Sequence, residues 1–559
     1  MAVSPAQMPK SIQDVVDVED FFNRVMPAYE QGHGDLSLDA DLDSARAVIP
    51  GATGAVRDFS TIAPEIPEFI AENCVGCMDC VTECPDTAIL GKAIPLADYE
   101  QKITGSPEDQ RDLLRGAWAK TRKYHDTYEK MRAAALKKAE KETDETKKAA
   151  LLKAADKVPG PAMFGIFIDP TKCKGCAECV QVCDDDALRM VRKTDSVMTT
   201  VKKRFDHFHK VGPTPKQYIM EKVLADMMLS DEALHYVGGA GSCAGCGEAT
   251  VIRMMVAATG FAYGKENFGI IASTGCNTVY TSTYPYNPYN LPWSNSLFEN
   301  GPTYAMGVRA RWNQKGWADK KLWLIGGDGA MLDIGFQSLS RMLMSGMDIK
   351  VLVLDTQVYS NTGGQASTAS FMGQETKLSL HGTEVGGKTE RRKELAQLMF
   401  MHPNVFVAQT TASHVNHFYK AIMRANEYKG PAVIITYTTC QPEHGVGDHL
   451  AGQQAKLAVD TRTFPLLIHD PDKGDRLADR LDLKGNPEPD KDWYTSPKTG
   501  EQEDFITFAK TEQRFRKHFD KEGNPSKTLQ AAKEDRLLNW RLLQEMAGIE
   551  PEPREPAAT

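Results

Sequence analysis

The sequence predicts an α/β domain built on a mainly parallel sheet, joined to a smaller α+β domain that carries a helical insertion. Three observations predict it. Across residues 206–460, apolar β-branched runs alternate with amphipathic helical patterns, the rhythm of a sheet covered by helices on both faces. Across residues 61–205 one four-cysteine phrase occurs twice, as CVGCMDCVTEC at 74–84 and CKGCAECVQVC at 173–183. Between the phrases, residues 107–157 are rich in Ala, Lys and Glu, which favours two solvated helices broken near ETDET.

The elements follow in chain order. Residues 1–60 are polar, with acidic and glycine-rich patches such as EQGHGDLSLDADLDS, and read as an N-terminal arm or small helical lead-in. Residues 61–205 hold both cysteine phrases and the helical insert at 107–157. Within 206–460, KLWLIGGDG is a buried strand with a turn, DIGFQSLSRMLMSG a helix, DIKVLVLDT a second buried strand and GPAVIITYTTC a later one. Residues 461–559 turn charged and proline-dotted, become helical and close on PEPREPAAT; they read as an extension that wraps a surface or a partner.

The 559 residues, 41% hydrophobic and 25% charged, suffice for several domains with cores of their own. A net charge of -9 argues against a nucleic-acid binder, which needs a basic surface. No run approaches the ~18 apolar residues of a membrane span, and the opening residues lack the basic-then-apolar design of a secretory signal. The expectation is a cytoplasmic protein without a membrane span. In that reducing compartment its twelve cysteines are metal ligands rather than disulfides.

The spacing C-x2-C-x2-C-x3-C is met by Cys74, Cys77, Cys80 and Cys84, then by Cys173, Cys176, Cys179 and Cys183. Zinc knuckles pair two C-x2-C units and need no third cysteine two residues further on. Three thiolates in so short a loop grip three corners of one cubane, and the fourth cysteine, set on the following helix, points at the other cluster. Cys74, Cys77, Cys80 and Cys183 are thus expected to hold one 4Fe–4S cluster, and Cys173, Cys176, Cys179 and Cys84 a second. Gly76 and Gly175 stand where a tight loop passes close to an inorganic sulfur. The segments that follow also align, Val81 with Val180, Asp86 with Asp185 and Ala88 with Ala187, so the phrase is an internal duplication. It resembles the bacterial two-cluster ferredoxin module, with Asp184 where the first copy has Pro85 and with the helical insert added.

Four cysteines remain: Cys243 and Cys246 in GGAGSCAGCGEAT, Cys276 in ASTGCNTVY and Cys440 in YTTCQPEHG. Four make the complement of one more cubane. Taken alone, the C-x2-C at 243–246 reads as well as a redox dithiol or half a zinc site. The surrounding Gly238, Gly239, Gly241, Gly245 and Gly247 suit a backbone wrapped tightly around a bulky cofactor.

Gly327-Asp328-Gly329 ends a strand and precedes a helix, and 28 residues after Asp328, Thr356 ends the next strand in LDTQVYSNTGGQ. Both loops then lie at the carboxyl ends of parallel strands, where α/β sheets bind ligands. Mg²⁺ wants hard oxygens: Asp328 offers a carboxylate, Thr356 a hydroxyl and Val358 a carbonyl, and a diphosphate completes the octahedron. The glycines admit that diphosphate close to backbone N–H groups. This is the layout of a thiamin-diphosphate motif, with Thr356 in place of the usual Asn-type ligand. The nicotinamide alternative lacks support, since no G-x-G-x-x-G follows a strand here.

From about residue 51 to about residue 470 the chain resembles the C-terminal half of pyruvate:ferredoxin (flavodoxin) oxidoreductase. The double phrases, GGAGSCAGCGE, STGCNTVY, GDGAMLDIGFQSLSRMLMSG, DTQVYSNTGGQ and AGQQAKLAVDTRTFPLL carry the likeness; residues 1–50 and the helical insert do not. The resemblance implies that Cys243, Cys246, Cys276 and Cys440 ligate a third 4Fe–4S cluster beside the thiamin, and that Asp328, Thr356 and the Val358 carbonyl ligate Mg²⁺. It implies a thiamin diphosphate lined by Glu248, Cys276, Gly327, Asp328, Gly329, Ala330, Thr356, Gln357, Val358, Tyr359, Ser360 and Asn361, with Asn361 the catalytic residue nearest the reacting carbons. Where single-chain members often carry Trp after Gly-Asp-Gly, Ala330 predicts a wider pocket.

The implied activity is oxidation of pyruvate with coenzyme A to acetyl-CoA and CO₂, or its reverse, with electrons delivered to ferredoxin or flavodoxin. A 2-oxoglutarate:ferredoxin oxidoreductase subunit is the alternative within the class, and a subunit for electron transfer alone is the alternative outside it. The implied partner is a second subunit carrying the pyrimidine-binding and coenzyme A domains, in a dimer of heterodimers.

Overall fold

Each cysteine phrase closes in a one-turn helix, Asp79–Thr82 in the first copy and Glu178–Gln181 in the second, and then runs into a strand. The computed structural model describes residues 18–38, 49–121, 123, 126–382 and 386–553; residues 1–17 and 39–48 of the N-terminal arm and the end of the PEPREPAAT tail fall outside them. Five strands surround the phrases: β1 Glu65–Phe69, β2 Ile89–Pro95, β3 Trp118–Ala119, β4 Ala162–Ile168 and β5 Leu188–Arg192. β1 pairs antiparallel with β5, and both β2 and β3 pair antiparallel with β4. The strand entering one phrase thus pairs with the strand leaving the other, and this pairing carries each fourth cysteine back to the opposite loop. Cys84 and Cys183 are not on a following helix as the sequence suggested. They lie just past the one-turn helices, in turns where Thr87 and Asp186 take left-handed φ values of 56° and 52° that end any helix.

The insert is shorter than the composition implied. Leu114 and Trp118 are buried and β3 joins the sheet, so residues up to 119 belong to the small domain's core. The solvated hairpin is Asp126–Lys141 and Glu145–Lys157, with Asp144 capping the second helix by accepting from Thr146 N at 2.9 Å and Lys147 N at 3.1 Å.

The large domain continues with β6 Phe268–Ser273, β7 Trp293–Ser296, β8 Lys321–Gly327, β9 Lys350–Asp355, the short hairpin β10 Val358–Tyr359 and β11 Gln365–Ala366, β12 Phe406–Thr411, β13 Ala432–Tyr437, β14 Leu467–His469 and β15 Leu481–Asp482. Eight of these form one sheet in the order β15-β14-β12-β13-β9-β8-β6-β7. The six strands from β12 to β7 are parallel; β14 runs antiparallel to both neighbours. Side chains alternate between two buried faces. Ile270, Trp323, Ile325, Leu352, Phe406 and Ile434 point to a core shared with the helices Gly247–Tyr263 and Val415–Glu427. Ile271, Leu322, Leu324, Val351, Val407 and Val433 point to a second core under Phe336–Met344 and Leu395–Phe400. Helix Gly247–Tyr263 is apolar all round because it is clasped between the sheet and the cysteine domain. Its one internal cation, Arg253, is spent on that contact, donating from Nη1 to the carbonyls of Val81, Thr82 and Cys84.

The C-terminal extension corrects the reading at residue 460. β14 and β15 complete the sheet edge, and the helices Phe505–Lys510 and Lys527–Met546 cover its second face with Phe505, Phe508, Leu529, Trp540 and Leu543, all nearly sealed from solvent. The surface this extension wraps is that of its own domain. At the other end, Phe21, Val25 and Met26 of the helical segment from 18 seat against Tyr284 and Tyr286.

Candidate cofactor and cluster site

Four loops leave the carboxyl ends of four adjacent parallel strands, β13, β9, β8 and β6, and bring Cys440, Thr356, Asp328 and Cys276 to one edge of the sheet. A cavity there is lined by Glu248, Cys276, Gly327, Asp328, Gly329, Ala330, Thr356, Val358, Tyr359, Ser360 and Asn361. Thr274, Gly275, Phe298 and Thr362 line it too. Sequence reasoning missed these four, although Thr274 and Gly275 end β6 just as the Gly-Asp-Gly ends β8.

Gln357 is the exception among the expected lining residues. Its φ is +59°, it is fully buried, and its side chain turns to the far side of the loop, donating to the Asp355 carbonyl and accepting from Arg514 Nη2 at 3.1 Å. Ala330 is also nearly sealed, as part of the core beneath the cavity.

The oxygen atoms expected for a metal converge. Asp328 Oδ1 accepts from Thr356 Oγ1 at 3.0 Å and from Thr356 N at 3.1 Å, and Ser367 donates to Oδ2. Thr356 Oγ1 lies 3.1 Å from the Val358 carbonyl and 2.7 Å from Ser360 Oγ. These donors to Asp328 are neutral, while the nearby guanidinium of Arg392 is bound to Asp355. Burial, and then the charge of Asp355, hold Asp328 above the usual carboxylate range. A buried carboxylate beside a hydroxyl and a carbonyl is the hard-oxygen set that suits Mg²⁺ with a diphosphate. Glu248 lies on the same cavity; burial and the Asp328 charge push it up to about 8, against the Tyr280 hydroxyl, 3.5 Å away.

The twelve cysteines gather into three sets. Cys74, Cys77, Cys80 and Cys183 ring one cavity, where burial first, and then its three fellow thiols and Asp79, push the Cys80 thiol up. Cys84 acts in the same way on Cys173, Cys176 and Cys179. Cys276 feels Cys246, Cys440 and Cys243. Among the described residues no three of His, Cys, Asp or Glu are grouped to hold a single metal ion; the thiols of the first set stand around a space instead. Burial raises the Cys74, Cys173 and Cys440 thiols to about 12 and Cys77 to about 11, so thiolates form there when a metal centre takes the charge. Cys276 lies on both the thiol set and the cofactor cavity.

The glycines around Cys243 and Cys246 are needed where backbone meets backbone. A Cβ on Gly239 would fall 2.0 Å from the Gly54 carbonyl, on Gly245 1.8 Å from the Asp448 carbonyl, and on Gly247 2.6 Å from Thr439 N. They admit the chain's own backbone. Gly175, at φ +70°, likewise meets Ala63 and Glu65.

Residues 273–436 match the model of the thiamine pyrophosphate enzyme C-terminal TPP-binding domain, and residues 166–189 match a 4Fe-4S binding domain. The chain is 27% identical over 560 residues to a probable pyruvate-flavodoxin oxidoreductase of Escherichia coli (strain K12), an alignment that covers 86% of this chain and 42% of that one. It is 33% identical over 239 residues to pyruvate synthase subunit PorB of Methanocaldococcus jannaschii, covering 42% of this chain and 78% of that one. The chain therefore spans less than half the length of the E. coli relative. A 2-oxoglutarate:ferredoxin oxidoreductase structure from Magnetococcus marinus aligns with TM-score 0.31 and 20% identity, over 36% of this chain and 64% of that chain.

Proposed function

The chain belongs to the pyruvate:ferredoxin (flavodoxin) oxidoreductase family, and from that premise we propose that it is the subunit that binds thiamin diphosphate and carries the electrons away. The reaction is pyruvate plus coenzyme A giving acetyl-CoA and CO₂, with two electrons passed singly to ferredoxin or flavodoxin, or the same reaction in reverse. One observation carries the proposal: Cys276 and Glu248 lie on the same cavity as the Asp328–Thr356–Val358 oxygens, so an electron acceptor and a diphosphate site share a wall.

Bound thiamin diphosphate supplies the carbanion chemistry of decarboxylation, and 4Fe–4S clusters accept electrons one at a time. The residues of this chain hold and orient. Asp328, Thr356 Oγ1 and the Val358 carbonyl would hold Mg²⁺; Gly327 and Gly329 would let the diphosphate approach; Asn361, exposed on the cavity lining, would be the catalytic residue. Three sets of four thiols hold three clusters, and the third set stands next to the organic cofactor. The small domain at 61–205 is the outer part of the wire, the domain at 206–460 with its extension at 461–559 the cofactor-binding part, and residues 1–60 an arm. The enzyme works in the cytoplasm with a second subunit that carries the pyrimidine-binding and coenzyme A domains, as a dimer of such pairs.

The test is an anaerobic assay of the intact complex with coenzyme A and a low-potential acceptor. Acceptor reduction with pyruvate, and none with 2-oxoglutarate, is expected. Preference for 2-oxoglutarate would reassign the substrate. Absence of thiamin diphosphate from the intact complex would leave an electron-transfer subunit only.

A further inference from the structure

The C-terminal extension does more than cover the sheet: it reaches under the cofactor loop. Gln357 lies between Thr356, whose Oγ1 reaches both Asp328 and the Val358 carbonyl, and Val358 itself, and it is held in the left-handed region that a non-glycine residue enters only at a cost. Five hydrogen bonds hold it there. Its side-chain amide donates to the Asp355 carbonyl and to Asp355 Oδ1 at 3.0 Å, and its Oε1 accepts from Arg514 Nη2 at 3.1 Å. Its carbonyl accepts from Gln374 Nε2 at 3.0 Å and from Ser370 Oγ.

Arg514 belongs to the extension and is itself locked, with Nε 2.5 Å from Glu512 Oε2 and both side chains at most 1% exposed. Glu512 Oε1 accepts from Tyr437 Oη at 3.2 Å and Gln454 Nε2 at 3.1 Å, and lies 3.6 Å from His444 Nδ1. His444 Nε2 in turn lies 2.8 Å from the Thr356 carbonyl. One hydrogen-bonded route therefore runs from the buried ion pair to the loop, through Arg514 Nη2 and Gln357 Oε1, while His444 bonds the Thr356 carbonyl without a hydrogen bond to Glu512. Because the glutamate balances the arginine, what the pair adds to the loop is geometry rather than net charge.

We propose that Glu512 and Arg514 are positioning residues for the metal and diphosphate site, holding the turn at Gln357 so that Thr356 Oγ1 reaches both Asp328 and the Val358 carbonyl. The proposal rests on reading this cavity as the thiamin diphosphate site. Positioning partners of this kind are conserved features of metal sites, and their loss typically costs roughly 10- to 100-fold in affinity or activity.

The experiment uses the complex as purified, with an affinity tag on this chain, stripped of thiamin diphosphate with a chelator. Thiamin diphosphate with Mg²⁺ is then rebound in a calorimeter, well below the unfolding temperature. Arg514→Met is expected to weaken binding roughly tenfold while iron content and cluster EPR spectra stay those of the parent. Gln357→Ala should weaken it similarly, and the double variant should be no worse than either single one, because both remove the same link. Since Arg514→Met leaves Glu512 buried without its partner, Glu512→Gln/Arg514→Met provides a charge-balanced form that should show the same loss. Unchanged binding in the charge-balanced form, or full additivity of Arg514→Met with Gln357→Ala, overturns the proposal. Failure of the parent complex to bind thiamin diphosphate overturns the reading of the site itself, and the proposal with it.

Discussion

Lys174 Nζ lies 2.7 Å from Asp86 Oδ1, and the two side chains are only 4% and 3% exposed. The same ammonium donates to the Ala240 carbonyl at 2.9 Å, the Ser242 carbonyl at 2.8 Å and Ser242 Oγ at 2.9 Å. Asp86 follows Cys84, Lys174 follows Cys173, and Ser242 precedes Cys243. One buried ion pair thus ties the second and third cysteine sets together across the domain boundary.

Lys174→Met should destabilise the chain by about 3–5 kcal/mol, because it leaves the Asp86 carboxylate buried without a counter-charge. Lys174→Met/Asp86→Leu should recover part of that loss, since replacing both charges removes the desolvation cost of both. Denaturant unfolding under anaerobic conditions measures it. A single variant as stable as its parent would contradict the account.

The anaerobically purified chain should carry about twelve iron and twelve acid-labile sulfide, if each set of four thiols holds a 4Fe–4S cluster. Cys276→Ser should disturb the set beside the cofactor cavity and leave the EPR signals of the other two in place. About eight iron in the parent chain would remove the third cluster, and zinc in place of iron would remove all three.

The parallel sheet was legible because its strands are buried on both faces and so read as unbroken apolar runs; KLWLIGG and IKVLVLD became β8 and β9. The crossed grouping of the thiols was legible from the repeated spacing, and the pairing of β1 with β5 and of β2 with β4 brings Cys183 beside Cys74, Cys77 and Cys80. The extension was not legible. Phe505, Phe508, Phe515 and Trp540 are scattered anchors in a charged background, and they pack with one another and with residues well back in the chain, such as Phe371, Tyr437 and Arg462. For the same reason nothing in the sequence pointed to Arg514 beneath Gln357, a contact across 157 positions. The backbone crossings at Gly239 and Gly245 were not legible, because a tight turn around a cofactor and a tight backbone crossing ask for the same residue.

If the extension is part of the core, removing its anchors must cost what a core residue costs. Trp540 is fully buried, with its indole Nε1 donating to the Lys491 carbonyl at 2.8 Å and Arg462 stacked 4.4 Å above the ring. Trp540→Ala should destabilise by about 3–5 kcal/mol. A tail that merely awaited a partner would tolerate the change in the isolated chain, with the midpoint of thermal unfolding unmoved.

His414 and His417 predict an acid limb of stability. Burial holds both well below the ordinary 6.5, down to about 4, with neighbouring positive charges adding to the effect. The folded form keeps them neutral, bonded to Thr411 Oγ1 at 2.8 Å and Thr410 Oγ1 at 2.9 Å. The unfolded chain takes up protons near 6.5, so stability is fully present above that pH and drains away as pH falls toward 4. His414→Gln/His417→Gln should flatten the fall of unfolding temperature between pH 6.5 and 4. An equal slope in both proteins would assign the acid limb to other groups.

The last prediction is that this chain turns over no pyruvate by itself. Among the described residues one large parallel sheet is present, and its carboxyl edge supplies the diphosphate side of the cavity. Three exposed apolar side chains stand close in the chain to residues that line that cavity. Val279 is 50% exposed three residues past Cys276, Leu297 is 61% exposed beside the lining residue Phe298, and Ile334 is 51% exposed on the turn after Gly329 and Ala330. Large apolar side chains left exposed suit a surface that another protein covers, and here the covering domain would close the cofactor's far end and bring the second substrate. We expect it to come from a separate subunit. The chain, expressed alone, reconstituted with iron and sulfide and supplied with thiamin diphosphate, Mg²⁺, coenzyme A and pyruvate, should show no acceptor reduction above background, and adding the partner subunit should restore it. Val279→Asp/Leu297→Asp should then weaken assembly, read by sedimentation, while leaving iron content and the fold of the free chain unchanged. Turnover by the isolated chain, or assembly indifferent to the two aspartates, would place the missing half of the site elsewhere.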